Sequence, residues 1–163
     1  MYKPNLGTIF SVANQAVVST TAGLATTFTG LAIANPAASG VNLVMKRFCC
    51  TQTAVGVAGS IGLMGGVGVA AGALTPINRS LGSGLKSKAT ASAGATISTP
   101  ILIEVYGTLG SVATTAYGIT PGIVIELNGS IIIPPGSFLA SYTTAATTNA
   151  LVFSMMWEEV PYM

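Results

Sequence analysis

Few residues in this chain could carry out chemistry. The acids are Glu104, Glu126, Glu158 and Glu159, the thiols are Cys49 and Cys50, and there is no His and no Asp. A zinc site needs about four nitrogen, sulfur or oxygen ligands. Two adjacent thiols on a strand point to opposite faces and cannot supply them. Ser83-Gly-Leu-Lys86 fits S-x-x-K, in which a Lys could activate a Ser. Its companion motifs S-D-N and K-T-G are missing, and the pattern sits in a Gly/Ser loop. Glu158 and Glu159 are sequence neighbours, so a strand would turn them apart. Glu104 and Glu126 could meet only across strands, as a glycosidase pair would have to. Gly66-Val-Gly68-Val-Ala-Ala-Gly72 loosely resembles a dinucleotide loop, yet no acid follows about 20 residues later and no βαβ unit follows. The sequence therefore offers no catalytic residue, no metal site and no cofactor site, and it reads as a non-enzyme.

The elements that surround these residues must then explain a second fact. The chain has 163 residues, of which 50% are apolar and only 6% charged. Soluble domains carry about 25% charge. A net charge of +2 is too small for a nucleic-acid binder that works by neutralising phosphates. The length suits one domain with a real core. Two classes remain: a membrane protein, or a neutral protein embedded in an assembly.

The mean hydropathy of +0.71 favours the first class, and Ala54 to Leu74 is long enough to cross a bilayer as a helix. That window is built from Ala, Gly and Val, with few of the Leu, Ile and Phe that drive insertion. Each Gly costs a helix about 1 kcal/mol against Ala. No membrane span is expected. Lys3 and the weak apolar stretch from Leu6 to Val18 make a poor signal peptide, because Asn14 and Gln15 interrupt it. Residues 1 to 22 read as an ordered arm that a neighbouring subunit would hold, with Phe10 and Val12 as contacts.

Strand signals fill the rest. Thr27 to Ala34 alternates small polar with apolar residues and ends at the turn Asn35-Pro36. Val41 to Thr53 alternates, placing Val41, Leu43, Met45, Arg47 and Cys49 on one face. Val55 to Leu74 reads as two short strands joined at Gly65-Gly66, a Gly-rich excursion, and Thr75 to Gly94 as a polar loop. Ile97 to Tyr106 is a strand broken by Pro100, which suggests an edge or a bulge. Asn128-Gly129 between apolar runs signals a hairpin, since both residues accept positive φ. Ala150 to Val160 is the last strand, with Leu151, Phe153, Met155 and Trp157 on one face, assigned to the core. About eight short strands predict an all-β, jelly-roll-like antiparallel sandwich over residues 23–163. Arg79, Lys86 and Lys88 gather half the cations in one loop with no acid nearby in sequence, so they are candidate contacts with an acidic partner. Val160, Pro161 and Tyr162, beyond the core strand, are candidate intersubunit contacts.

Three stretches carry a resemblance. Gly30-Leu-Ala-Ile-Ala-Asn-Pro-Ala-Ala-Ser-Gly-Val-Asn-Leu-Val44 resembles a segment of small tailed-phage structural proteins. Gly129-Ser-Ile-Ile-Ile-Pro-Pro-Gly-Ser-Phe-Leu-Ala140, followed by Trp157-Glu-Glu-Val-Pro161, resembles their C-terminal portion. The chain is similar to jelly-roll capsid cement, or decoration, proteins of tailed phages, including cyanophages. The resemblance covers about a third of the chain and leaves out Val55 to Leu74. It implies a homotrimer bound to the major capsid protein on the virion's outer capsid surface, with no catalytic motif to carry over. A trimeric tail-fibre or baseplate component is the alternative, and a small membrane protein a more distant one.

Overall fold

The computed structural model describes residues 8–53, 59–68, 72–109 and 122–162. The protein is all-β, with no helix among these residues. Two antiparallel sheets pack as a sandwich.

The first sheet has seven strands. Its main path runs β10 (Ile132–Ile133), β4 (Val41–Gln52), β12 (Thr147–Pro161), β1 (Ile9–Ala13) and β6 (Ile77–Asn78). β9 (Ile123–Glu126) also pairs with β4, and β2 (Val18–Thr20) with β12. The second sheet has five strands, in the order β7 (Thr90–Thr96), β3 (Thr27–Asn35), β11 (Ser137–Thr143), β5 (Gly59–Val67) and β8 (Ile101–Leu109).

Alternation builds the core. Leu151, Phe153, Met155 and Trp157 of β12 are all buried on one face, as their spacing requires. Phe48 stacks on Phe153 with ring centroids 6.1 Å apart, and Phe10 on Trp157 at 6.4 Å. Leu31, Ile33, Ile61, Leu63 and Leu139 meet them from the second sheet. Each large side chain buried this way contributes roughly 1.5–3 kcal/mol. Ala32, Ala34, Met64, Phe138 and Ala140 belong to a second, smaller cluster. They alternate with the first set, so they occupy the outer face of the second sheet, where Ile97 covers them.

Four expectations need correction. First, the described part of the arm expected at 1–22 is held by its own chain. β1 pairs with β12 of its own chain from Ile9↔Glu158 to Ala13↔Ser154. Asn14 then ties the two sheets together: its Nδ2 donates to Gly30 O at 2.9 Å and its Oδ1 accepts from Phe153 N at 3.0 Å. Residues 1–7 lie outside the described residues. Second, Gly65 and Gly66 form no turn but lie inside β5, paired with Leu139 and Phe138. Within the span read as a polar loop, the chain forms β6 and the start of β7.

Third, Asn128-Gly129 does adopt positive φ, 49° and 86°. It does not fold β9 back on β10. Both strands run in the same direction along one edge of β4, Glu126 opposite Arg47 and Ile132 opposite Val44. The turn's amides donate to the carbonyls of Lys46 and Met45. Fourth, strict alternation along β4 fails. Between Met156↔Arg47 and Trp157↔Met45 the register slips, so Lys46 is an extra residue. Beyond this bulge, Phe48, Cys50 and Gln52 face inward, and Arg47 and Cys49 do not.

β5 and β8 explain the glycines that the resemblance left out. A Cβ on Gly62 would collide with the carbonyl oxygen of Glu104. At this close approach β8 carries two register slips against β5, either side of the Gly62–Leu63 pairings.

Candidate interaction surfaces

The reactive groups do not converge. Glu126 is ion-paired with Arg47 at 2.6 Å, and Glu158 with Lys46 at 2.7 Å. Glu159 is buried; its carboxylate accepts from Ser87 Oγ and from Lys88 N at 2.8 Å. The cationic loop therefore has an acid beneath it, which anchors its backbone. Ser83 Oγ accepts from Leu85 N at 3.3 Å, a turn contact within its own loop. Cys50 is buried in the core, where burial first and the neighbouring Cys49 second push its thiol up to about 12. The hydroxyl of Tyr106 is buried without a hydrogen bond of ordinary geometry. Burial first, then the nearby charge of Glu104, push it up to about 12. Among the described residues no group of three or more His, Cys, Asp or Glu could hold a metal.

What the fold presents instead is apolar edge. β8 borders the second sheet, as Pro100 before it suggests. Its residues Ile101, Leu102, Ile103 and Val105 are 65%, 40%, 46% and 45% exposed. A natural edge strand is ordinarily blunted by charge, a covering loop or short length. This one is nine residues long and holds one charge, Glu104. Beside it a groove of about 200 Å³ opens between the sheets, lined by Ile103, Ile131, Ile132, Ile133, Pro134 and Phe138. Ile132 is exposed there too. None of these residues is among the candidate contacts that the sequence suggests. The signal was present: an apolar run with no alternation, next to a proline that marks an edge.

The opposite flank holds the loop that follows β6. A bridge between Leu74 and Ala91 sets this stretch of chain beside β7, at the far end of the second sheet from β8. Ile77, Leu81 and Leu85 are exposed beside Arg79, Lys86 and Lys88. Those three cations make no ion pair among the described residues. Arg79 also lines a depression of about 220 Å³ on the first sheet, together with Ile77, Ser11 and Met156.

The other two sets of candidate contacts separate. Val160, Pro161 and Tyr162 are exposed at the end of β12, where Tyr162 N donates to Gly40 O at 3.0 Å. Phe10 and Val12 are 2% and 3% exposed, sealed in the core of their own chain. Apolar side chains on β1 gain more from that core than from an uncertain neighbour, so they are not available as contacts.

No protein-family model, curated protein or solved structure matches this chain. Among the described residues no helix is long and apolar enough to cross a membrane, and the middle of the Ala54–Leu74 window is strand β5.

Proposed function

We propose that this chain is a structural assembly protein: a homotrimeric cement protein that packs against copies of itself and against the major capsid protein on the outer surface of a virion. The exposed β8 edge carries the reading. Ile101, Leu102, Ile103 and Val105 leave apolar area facing outward on a strand that pairs with β5 alone among the described residues, which suits a molecule that works only when covered. Low charge is the expected composition of such a surface. The resembling stretches support the reading by their placement. Gly30–Val44, Gly129–Ala140 and Trp157–Pro161 gather at one corner of the sandwich, where β3 pairs β11, β4 pairs β10, and β12 pairs β4. Asn35 holds that corner, donating to Val41 O at 2.7 Å and Ile133 O at 2.9 Å.

The experiment is light scattering on the purified chain, followed by its addition to capsids that lack it. A trimer that binds in copies on the order of hundreds per particle is the expected result. A handful of copies per particle would move the protein to the tail. A monomer that binds no particle would overturn the reading.

A further inference from the structure

We propose that neighbouring copies join head to tail, the β8 edge of one against the Ile77–Lys86 flank of the next, with Glu104 meeting Arg79 and Lys86. This inference rests on the self-assembling role proposed above and specifies its interface.

Charge and position carry it. Of the four acids, Glu126 and Glu158 are ion-paired and Glu159 is buried beneath the loop. Glu104 is exposed on β8 and has no ion pair among the described residues. Among the described residues, the cations without ion pairs, Arg79, Lys86 and Lys88, lie on the other flank. Each flank also exposes large apolar side chains, Ile101 and Ile103 on one and Leu81 and Leu85 on the other. One surface is apolar with an acid at its centre; the other is apolar with cations around it. Such a pair is complementary in charge and in polarity.

The alternative is a two-fold joint of β8 with β8. It would bring two Glu104 carboxylates into one interface, and like charges across a strand pair are destabilising. It would also leave the cationic flank uncovered. The two flanks lie on opposite sides of the sandwich, because β8 borders the groove beside β10 while the loop adjoins β7. A contact between opposite sides of one molecule is heterologous. It closes into a ring when the rotation per copy permits, and three copies satisfy the proposed trimer.

Charge reversal in the full-length chain tests this. Glu104→Lys and Arg79→Glu should each raise the dissociation constant for self-association about tenfold or more, equivalent to about 1.4 kcal/mol. The variant carrying both should bind severalfold more tightly than either single variant without full recovery, since each interface regains an opposite pair at 104 and 79 while Lys86 then faces a like charge. Far-UV circular dichroism must be unchanged in each. If a reversal variant misfolds, Glu104→Gln and Arg79→Gln replace them, with smaller losses that do not add. An oligomeric chain whose single variants associate normally, or whose double variant is no better than the singles, overturns this interface and leaves the assembly role standing. A chain that is monomeric before any substitution overturns both.

Discussion

β12 and β8 are both long and apolar, and they meet opposite fates. Leu151, Phe153, Met155 and Trp157 of β12 are sealed between sheets, while Ile101, Leu102, Ile103 and Val105 of β8 face outward. The difference lies in the residues between. β12 alternates its apolar residues with Ser154, Met156 and Glu158, which stay partly exposed on the outer face. β8 places apolar residues on both faces. An unbroken apolar run is the pattern of a strand covered on both sides. Among the described residues β8 pairs with one strand, β5, and its apolar side chains are largely exposed. Composition alone would treat the two strands alike; periodicity tells the strand that is buried on one face from the strand that stays exposed.

The sharpest way to break this comparison is to cut into β12. Trp157→Ala should destabilise the chain by about 3–5 kcal/mol, because a fully buried aromatic leaves a cavity between rigid sheets. Urea denaturation followed by circular dichroism would show the midpoint collapse. A loss under 1 kcal/mol would mean that β12 is not the central strand that its burial implies.

A second cut separates β8 from the body. Gly62→Ala forces a methyl group against the Glu104 carbonyl oxygen, and backbone cannot rotate away as a side chain could. The expected loss is about 1–3 kcal/mol. Hydrogen exchange should localise it, with amides of β5 and β8 losing protection while β12 keeps it. Uniform loss across both sheets would contradict a local clash.

Much of this was legible in the sequence, and the failures have physical causes. The β12 face was legible because period-two burial is a local property of one strand. Asn128-Gly129 announced its own positive φ, which is also local. What that turn connects is not local: β9 and β10 both find β4, and no feature of residues 123–133 names that partner. The bulge at Lys46 was invisible for the same reason, since a register slip belongs to a pair of strands. Gly65-Gly66 misled because glycine marks either a turn or a close approach, and here the approach won. Phe10 and Val12 misled because an apolar terminus can serve a neighbour or its own core. Ile101–Val105 were legible and overlooked: their lack of alternation is the signal, and it marks a strand whose apolar side chains its described neighbours leave exposed.

Alkali probes the buried side of the comparison. Cys50 lies opposite Phe153 in the β4–β12 pairing, and its thiol is pushed from 9.0 up to about 12. Between those values the unfolded chain releases a proton that the fold retains, so stability falls as pH rises through that window. The slope is at most about 1.4 kcal/mol per pH unit from this group. Tyr106 acts in the same direction. Urea midpoints from pH 8 to 11 should decline, and Cys50→Ala should decline less steeply. Equal slopes in the two proteins would remove the thiol from the account.

The gentlest change says most about β8. Ile101 is 65% exposed, so Ile101→Lys removes little buried area and disturbs no core contact. Its effect on the unfolding free energy of the dissociated chain should stay within about 0.5 kcal/mol, as for surface positions generally. Trp157→Ala, made on a strand of similar apolar content, should cost several times more. Self-association should reverse that ranking. A lysine on an edge strand is the device by which natural sheets refuse a neighbour, so Ile101→Lys should weaken the oligomer while leaving the monomer intact. Sedimentation of the variant across a concentration series measures the first quantity, and urea unfolding at low concentration the second. If the lysine lowers monomer stability and association by the same free energy, β8 serves the fold and its exposure is incidental. If only association falls, the apolar edge is functional surface, and the low charge of this chain has its physical explanation in the neighbours that cover it.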